Sequence, residues 1–298
     1  MWLHQHNGGP RGTRGGIRIK MNETHSSNQL KVYFNNNGYT SKKNSLIQII
    51  KSLSPDIIAL CETKVSATAS LKLSGYETIV SNCKQGKEGL MLAIKEGTFS
   101  SAEKISESND KNILTSKVVY PQCTMRFIIA HGPQETDGKE AKSDFYESLM
   151  IEIEKGKASD DNVVLLGDMN ARIQKSASDV EDIESLSTNG KLFKEVVEKY
   201  QLEVLNFHQN AVGKWTRIQK KKKTSEKSVI DYVAVEDNLK NRVDRVLIDE
   251  DKLYTPWRSV FRKKKRQIIF SDHAAIITLI MAFGSSKSLW PRKTHLQN

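Results

Sequence analysis

The stretch VVLLGDMNAR, residues 163–172, decides the fold because an apolar run ends abruptly in a carboxylate and an amide. Val163 to Leu166 are aliphatic and rich in β-branched residues, a pattern typical of a strand buried on both faces. Gly167 then lets the backbone turn sharply or approach another segment closely. Asp168 and Asn170 follow at the strand end, where catalytic groups tend to gather. Gly, Asp and Asn are also ordinary turn residues, so this stretch alone leaves a plain turn equally open.

The length and the charge of the chain narrow the class of protein. Its 298 residues suffice for one large domain or two small ones, and a hydrophobic content of 38% supports a sizeable core. The longest apolar run, HAAIITLIMAF, falls short of the roughly 18 residues that a membrane-spanning helix needs. Lysine and arginine number 46 against 35 acidic residues, and the net charge of +11 favours nucleic acid or an anionic membrane surface as partner. A merely basic soluble protein is the ordinary alternative.

The termini and the cysteines indicate an intracellular protein, nuclear or cytoplasmic, neither secreted nor membrane-spanning. Residues 1–29 are polar and rich in Gly and Arg, without the apolar core of a secretory signal. We expect a flexible arm, the leading edge of a fragment or translated upstream sequence there, and a loose polar tail over residues 283–298. The three cysteines show no CxxC spacing, which argues against a disulfide framework or a zinc site and favours a reducing compartment.

The segment between these ends alternates strand and helix patterns. Short apolar runs such as KVYF and DIIALC predict strands, and strand patterns dominate the last third of the chain. Helical periodicity marks SKKNSLIQIIKSLSP, SDFYESLMIEIEKG and GKLFKEVVEKYQ, and Gly156 is a candidate C-cap of the second helix. Many strands interrupted by helices are best satisfied by two sheets packed face to face, with helices on the outer faces. We therefore predict one α/β domain over residues 30–282.

Polar residues occur at the ends of several predicted strands. They are Asn35 and Asn37 in FNNNG, Glu62 after IIALC, Asp168 and Asn170, Asp231 in SVIDYV, and Asp272 and His273 in FSDHAAI. Taken singly, asparagines cap and turn, a strand-terminal glutamate is solvated, and a lone histidine belongs to the core. Together, carboxylates, amides and an imidazole form the oxygen-rich site that Mg²⁺ or Mn²⁺ prefers, whereas no HExxH or Cys/His spacing suits zinc. A hard cation beside an imidazole suits hydrolysis of a phosphate ester.

Six motifs in order carry a resemblance to a known family: FNNNG, ALCETK, HGP, LLGDMN, SVIDYV and SDHAAI. They resemble the endonuclease/exonuclease/phosphatase superfamily and, within it, the apurinic-type endonuclease domain of non-LTR (LINE-type) retrotransposons. The stretch NGKLFKEVVEKYQLEVLN is similar to those elements as well. The resemblance spans residues 30–282 and implies a four-layer α/β sandwich and Mg²⁺-dependent phosphodiester hydrolysis. We also expect a monomer, and Mn²⁺ as an alternative to Mg²⁺. It also implies DNA as substrate, and a reverse transcriptase domain or the element RNA as possible partners.

The resemblance also implies roles for the polar residues at the strand ends. Glu62 matches the principal metal ligand, and Asn35 lies where the family has an asparagine that contacts the metal site or the phosphate. Asp168 matches the carboxylate that orients or deprotonates the attacking water. Asn170 matches the amide that steadies this water and the phosphate.

The last two motifs complete the implied site. Asp231 matches a carboxylate paired with an imidazole, and His273 matches that imidazole, which contacts the scissile phosphate. Asp272, beside it, is a further candidate metal ligand. The opening stretch is therefore interpreted as an active-site strand rather than a simple turn.

Three features depart from the family pattern. His131 in AHGP replaces the tyrosine that retroelement enzymes commonly carry, and we expect the imidazole either to replace the phenol hydrogen bond or to alter the site. Asn37 replaces an aspartate of repair-type apurinic endonucleases, which weakens a second metal contact and argues against a dedicated repair enzyme. The reverse transcriptase that usually follows is missing, so we expect a fragment or truncated copy.

Two basic runs lie just upstream of the last two motifs and are candidate DNA contacts, together with two residues of GKWTRI. The first run is Lys220, Lys221, Lys222 and Lys223, the second is Arg262, Lys263, Lys264, Lys265 and Arg266, and the two neighbours are Trp215 and Arg217, with Asn37 as a further candidate. Lys and Arg bind phosphates without reading sequence, and a tryptophan can wedge or stack on DNA. Solvated loops and a core tryptophan are the ordinary alternatives.

The sequence thus favours an Mg²⁺-dependent DNA endonuclease that nicks one strand and leaves a 3′-hydroxyl to prime reverse transcription. A phosphoesterase of the same superfamily, acting on inositol phospholipids or sphingomyelin, is a second hypothesis, which the clustered Lys and Arg disfavour. A non-catalytic nucleic-acid-binding relic is a third, which the intact set of Glu62, Asp168, Asn170, Asp231 and His273 disfavours.

Overall fold

A computed structural model describes residues 29–35, 39, 41–65, 71–81, 88–106, 110–173, 186–220, 224–262 and 265–281. In chain order its elements are β1 (Gln29–Asn35), α1 (Lys43–Leu53), β2 (Ile57–Leu60), β3 (Tyr76–Val80), β4 (Met91–Lys95), β5 (Ser101–Lys104), β6 (Ile113–Tyr120), β7 (Cys123–His131), α2 (Lys139–Ala158), β8 (Asn162–Asp168), α3 (Thr188–Tyr200), β9 (Leu202–Val204), a 3₁₀ turn (Leu205–Phe207), β10 (Ala211–Val212), β11 (Arg217–Lys220), β12 (Ser225–Ser228), β13 (Asp231–Glu236), α4 (Asp237–Lys240), β14 (Val243–Ile248), β15 (Trp257–Arg262), β16 (Lys265–Phe270) and β17 (Ile276–Met281).

Two large mixed sheets hold most of these strands. The first has seven strands in the order β10-β14-β17-β1-β2-β4-β3, and the second has six in the order β5-β6-β7-β8-β13-β9. Within the first sheet β1 is parallel to β2 and antiparallel to β17. Within the second, β8 is parallel to β7 and antiparallel to β13. Two separate hairpins, β11-β12 and β15-β16, lie outside both sheets.

The sheets pack face to face, with helices on their outer sides. One core cluster combines residues of both sheets, including Phe34 of the first and Phe127 and Leu166 of the second. A second cluster joins α2 and α3 to the outer face of the second sheet, and a third joins α1 to the outer face of the first. This arrangement confirms the predicted four-layer α/β sandwich. The opening strand, β8, is buried along its whole length, as its aliphatic run predicts.

The helices follow their predicted segments, with one correction. α1 ends at Leu53, where Ser54 adopts a left-handed backbone and donates its N–H to Ile50 O, ahead of Pro55. Gly156 was expected to cap α2, but that prediction is wrong because the helix continues to Ala158. A Cβ at Gly156 would lie 2.6 Å from Val163 Cγ2 and 2.7 Å from Arg126 Cδ. Close packing of the helix on the sheet, not a left-handed turn, therefore requires this glycine.

The predictions for the two chain ends are not tested by the structure. Residues 1–28 and 282–298 lie outside the described residues, so the flexible arm, the polar tail and the outer bounds of the domain remain predictions. Within the described residues, no helix combines the length and the apolar character needed to cross a membrane.

Gly167 lies inside β8, between the neighbouring strands β7 and β13. Its neighbours in the sheet are Ala130 of β7 and Tyr232 of β13. A Cβ at this position would collide with the Ala130 carbonyl oxygen and would lie 2.7 Å from Met169 Cε. The close approach that the sequence suggests for Gly167 is therefore present, and it sets the path of the chain immediately before Asp168.

We predict that Gly167→Ala destabilises the fold by about 1 to 3 kcal/mol or more, because backbone atoms of β7 must move to admit the methyl group. Gly138→Ala is the matched control: a Cβ there meets nothing within 4 Å, and the backbone has a φ of −60°. Urea denaturation of both variants measures the difference. Equal urea midpoints for Gly167→Ala and Gly138→Ala would contradict the claim that the close approach of β7 requires a glycine at position 167.

Candidate active site

Three strands of the second sheet present ionisable groups in one row. His131 ends β7 opposite Asp168, which ends β8, and Asp168 in turn lies opposite Asp231, the first residue of β13. Side chains paired in register point to the same face of a sheet. The strand-end residues that the sequence singled out are therefore brought together by sheet register.

Asp231 and His273 form a buried ion pair that links the two sheets. His273 Nδ1 lies 2.8 Å from Asp231 Oδ2 and 3.0 Å from Oδ1. Asp231 is 0% exposed and His273 is 6% exposed. His273 lies three positions before the start of β17 of the first sheet, whereas Asp231 belongs to the second. The pairing predicted from the sequence resemblance is therefore present in the structure.

The surroundings of His273 favour the protonated, cationic form of its imidazole. Burial by itself disfavours the charged ring, but the Asp231 carboxylate, its hydrogen bond, and the Asp168 and Asp272 carboxylates outweigh burial and raise the pKa of His273 to about 9. His273 is therefore a cation at neutral pH. Because Asp231 engages Nδ1, Nε2 carries the proton that can be offered to an anionic ligand.

Asp168 lies beside this pair and is itself buried. Ligand atoms of Asp168, Asp231 and His273 all lie within 4.8 Å of one another. Burial, and then the charge of Asp231, raise the pKa of Asp168 to about 6, while His273, His131 and the Asn170 N–H oppose that rise. Asp168 is thus an ionised carboxylate at neutral pH with more than ordinary basicity, the property expected of a general base.

Two asparagines hold the loop that follows Asp168. Asn170 has a left-handed backbone, its N–H donates to Asp168 Oδ1 at 2.9 Å, and its Nδ2 donates to Gly132 O at 2.8 Å. Asn189, in the first turn of α3, is fully buried and its Nδ2 donates to Pro133 O and to Asn170 O. The sequence did not identify Asn189, and its only signal is an amide in the first turn of an otherwise amphipathic helix.

Asp231 has a comparable support that the sequence also missed. The Thr216 hydroxyl oxygen accepts the N–H groups of Ile230 and Asp231 at 3.0 and 3.1 Å. Asn206 donates to Asp231 O and accepts from Val233 N. Thr216 and Asn206 are both buried, so they fix the backbone that carries the carboxylate.

Glu62 and Asn35 form the part of the site contributed by the first sheet. Glu62 follows β2, with Oε2 2.9 Å from Lys64 Nζ and Oε1 3.6 Å from His131 Nε2, the latter too long for a hydrogen bond. Within the described residues, the buried Asn35 Oδ1 and His131 Nε2 have no hydrogen-bond partner. Buried polar atoms are normally satisfied. A carboxylate and an unsatisfied amide oxygen therefore fit a hard divalent cation.

Asp272 and Arg217 lie at the edge of this site. Asp272 Oδ2 is 3.6 Å from Arg217 Nε and 4.0 Å from His273 Nε2, and its side chain is 42% exposed. Arg217 is joined to His273 by an isolated bridge of antiparallel backbone. The contacts described for Asp272 are thus with the cationic groups of Arg217 and His273. Its role as a metal ligand stays a prediction.

A buried lysine, which the sequence did not identify, lies close to the same edge. Lys42 is 6% exposed. Its pKa is lowered to about 8, first by burial, with Asp272 and Glu62 opposing that effect and Lys64 and Arg258 adding to it. These influences place Lys42 among the carboxylates of the site and two further cations.

The predicted DNA contacts have mixed outcomes. Trp215 is 8% exposed, with the ammonium groups of Lys227 and Lys252 each 5.3 Å from its ring centre, so it is a core residue and cannot stack on DNA as it stands. The structure therefore contradicts the expected insertion of Trp215 into DNA and agrees with the alternative, a tryptophan of the core. Lys265 and Arg266 are exposed on β16. The remaining candidates lie outside what the structure describes: Asn37, Lys221, Lys222, Lys223, Lys263 and Lys264 entirely, and Lys220 and Arg262 in their side chains.

A family model for the endonuclease/exonuclease/phosphatase family matches residues 29–273 of the chain. This protein belongs to that family. The match includes the first five motifs quoted above and, of the sixth, Ser271, Asp272 and His273, and it confirms the superfamily that the sequence resembles. No curated protein matches the chain in a sequence search.

Solved structures share the fold of this endonuclease/exonuclease/phosphatase family member. An AP endonuclease, LMAP, from Leishmania major is 16% identical, with a TM-score of 0.67 over 86% of this chain and 88% of its own. The endonuclease domain of TRAS1, a telomere-specific non-LTR retrotransposon, is 14% identical, with a TM-score of 0.59 over 84% and 97%. A Neisseria 3′ phosphatase, NExo, bound to product DNA hairpin is 14% identical, with a TM-score of 0.63 over 84% and 98%. At these identities the likeness establishes the fold.

The raised pKa of His273 generates a prediction that needs no substrate. In NMR titrations of the wild type, His273 should lose its proton near pH 9. In Asp231→Asn the dominant favourable charge is gone, so burial should bring the pKa of His273 below its ordinary value. The folded pKa is raised, so the pair's contribution to stability is complete below about pH 6.5 and is lost as the pH rises through about 9.

Asp160→Asn is the matched control, because Asp160 is exposed and its left-handed backbone tolerates asparagine. This variant should leave the titration of His273 unchanged. A wild-type His273 that titrates at its ordinary value would refute the cationic assignment.

Proposed function

We propose that this chain is a divalent-metal-dependent DNA endonuclease that hydrolyses phosphodiester bonds and nicks one strand. The observation that carries the proposal is the compact group of Asp168, Asp231 and His273, with ligand atoms within 4.8 Å of one another at the ends of facing sheets. Family membership supports hydrolysis of a phosphate ester, since the family comprises endonucleases, exonucleases and phosphatases.

In this proposal Glu62 and Asn35 hold Mg²⁺ or Mn²⁺. When bound, such an ion acts as a Lewis acid on a phosphate oxygen. Asp168 accepts a proton from the attacking water at a carboxylate oxygen. Its pKa of about 6 makes it ionised at neutral pH and more basic than an ordinary carboxylate. Asn170, held by Gly132 and by its N–H bond to Asp168, orients the water and the phosphate.

His273 is proposed to bind the scissile phosphate. Its Nδ1 is committed to Asp231, so the Nε2–H of the imidazolium donates to a non-bridging oxygen and stabilises the charge that develops during attack. His131 lies in the same row, 3.6 Å from Glu62 Oε1, and is proposed to position that carboxylate and the water. The imidazole of His131 thus stands where the family has a tyrosine, with its Nε2 near the Glu62 carboxylate but beyond hydrogen-bond distance.

Charge and fold support DNA as the substrate. The net charge of +11 favours a polyanion, and a family fold neighbour was solved with a product DNA hairpin. The six ordered motifs and the shared fold with the TRAS1 domain support a role in retrotransposition, where a nick leaves a 3′-hydroxyl to prime reverse transcription. We propose accordingly that the chain acts as a monomer inside the cell, with a reverse transcriptase domain or element RNA as partner.

Supercoiled plasmid provides the direct test of this function. The wild type should convert supercoiled to open-circular DNA with Mg²⁺ and should not do so with EDTA. Glu62→Gln keeps the size of the side chain but removes its charge, so nicking should fall by orders of magnitude while the fold is retained. Glu198→Gln, an exposed position on α3, is the matched control and should nick at the wild-type rate.

The same assay discriminates the rival functions. Hydrolysis of inositol phospholipid or sphingomyelin without nicking would select a lipid phosphoesterase. DNA binding with no hydrolysis of any of these substrates would select a non-catalytic relic. Nicking that persists in EDTA, or wild-type nicking by Glu62→Gln, would refute the metal assignment.

The Asp231–His273 pair predicts non-additive kinetics. His273→Ala should raise the barrier by roughly 2 to 4 kcal/mol, the scale for losing one preorganised donor. Asp231→Asn should lose a large part of the same effect, and the double variant should be little worse than His273→Ala because the two residues act as one unit. Single-turnover nicking rates measure all three, with circular dichroism as the check on folding. If the rate losses of the two single variants multiply in the double variant, His273 and Asp231 do not act as one unit.

A further inference from the structure

The hairpin formed by β15 and β16, here called the finger, is separate from the two large sheets. Its six backbone pairs run from Trp257 opposite Phe270 to Arg262 opposite Lys265. Because opposed residues share a face and successive pairs alternate, one face carries Trp257, Ser259, Phe261, Arg266, Ile268 and Phe270. The sequence pattern indicated the basic residues of this segment but not the hairpin.

This face is apolar and open to solvent. Phe261 is 78% exposed, Ile268 is 53% exposed and Phe270 is 43% exposed. They are three of the seven large hydrophobic residues exposed in the described part of the chain. Scattered single apolar residues are ordinary, but a contiguous exposed set on one face of a hairpin marks an interaction surface.

The outer end of the finger is cationic as well as apolar. Lys265 and Arg266 are exposed, and Arg266 Nε donates to Ser259 Oγ at 2.8 Å, which holds the guanidinium on the apolar face beside Phe261. A partner for this surface must offer anionic groups next to an apolar interior. Duplex DNA does so, since phosphates line the minor groove and apolar side chains can insert between its base pairs.

The base of the finger is fixed at the edge of the candidate active site. Ser45 near the start of α1 accepts the Trp257 N–H at 2.9 Å and donates to Trp257 O at 2.7 Å. β16 leads within three residues to His273, and Arg258 near the base lies close to the buried Lys42. At about 3.3 Å per residue, Phe261 lies about 13 Å from the Trp257 end of the strand. That reach equals about four base steps of DNA.

We propose that the finger contacts the minor groove of the substrate DNA beside the scissile phosphate, and that Phe261 inserts between base pairs as a wedge that bends the duplex. The inference rests on the proposed nuclease function and adds a DNA-distorting element to it. It also assigns to Phe261 the stacking role that the burial of Trp215 denies to the tryptophan. Lys265 and Arg266 hold the flanking phosphates.

Base unstacking can be measured without hydrolysis. Short duplexes carrying 2-aminopurine at successive positions within about six base pairs of the nick site, mixed with wild-type protein in EDTA, should brighten at one step. Phe261→Ser should abolish this signal and weaken duplex affinity on the order of tenfold, the scale of one lost stacking contact. Phe261→Leu should retain most of both, because leucine is also a wedge residue.

Leu253→Ser is the matched control, since Leu253 is 62% exposed and lies outside the finger. It should leave the fluorescence and the affinity unchanged. With Mg²⁺, Phe261→Ser should nick intact duplex more slowly than wild type, and a two-base bulge near the nick site should restore its rate because the duplex is already bent.

The outcomes separate this inference from the proposed function. Brightening in EDTA without any Mg²⁺-dependent nicking would overturn the nuclease proposal alone. Nicking without brightening, or equal brightening by wild type and Phe261→Ser, would overturn the wedge alone. If sedimentation shows that Phe261→Ser dissociates a dimer and leaves DNA binding intact, the face joins copies of the chain and the wedge is likewise overturned.

Discussion

The ion pair between Asp231 and His273 is the interaction on which the rest of the site depends. A carboxylate with 0% exposure is costly unless a partner and hydrogen bonds compensate its charge. His273 compensates it at 2.8 Å. Because Asp231 begins β13 of the second sheet and His273 lies just before β17 of the first, the pair is formed only when the two sheets are correctly packed. Breaking a buried pair by removing one partner costs on the order of 3 to 5 kcal/mol. The pair therefore ties the geometry of the site to correct packing of the two sheets.

The electrostatics of the other groups follow from that pair. Asp231 lies opposite Asp168 in the sheet, so two carboxylates face each other across neighbouring strands. Their mutual repulsion adds to burial in raising the pKa of Asp168, and the His273 imidazolium limits the rise. The result is one carboxylate committed to a cation and another that can accept a proton near neutral pH. Two like groups thus acquire different chemical roles from their surroundings.

The sheets meet closely at this end of the sandwich. Cys61, which precedes Glu62, donates its thiol hydrogen to Ala130 O at 3.4 Å, a contact from the first sheet to the second. Ala130 is also the residue whose carbonyl oxygen excludes a side chain at Gly167. Small groups at this junction bring Glu62, His131 and Asp168 together. The finger and the β11-β12 hairpin lie outside both of these sheets.

Local sequence patterns determined much of this protein. The aliphatic run of β8, the periodicity of α1 and the order of six short motifs depend on neighbouring residues, and they predicted the sandwich and the row of polar strand ends. The long-range pairing of Asp231 with His273 also could be predicted, but only through family resemblance. Composition and spacing alone left each of these residues with an ordinary structural reading.

Only the tertiary structure decided the features that depend on distant segments. Gly156 lies within α2 because β8 packs against it, Trp215 is buried beneath Lys227 and Lys252, and Asn189 joins loops that local patterns do not relate. The finger's apolar face depends on β15–β16 register and on the lack of a covering element over Phe261 in the described residues. Burial is a property of what surrounds a side chain. A local sequence pattern therefore does not determine which tryptophan is buried and which phenylalanine is exposed to solvent.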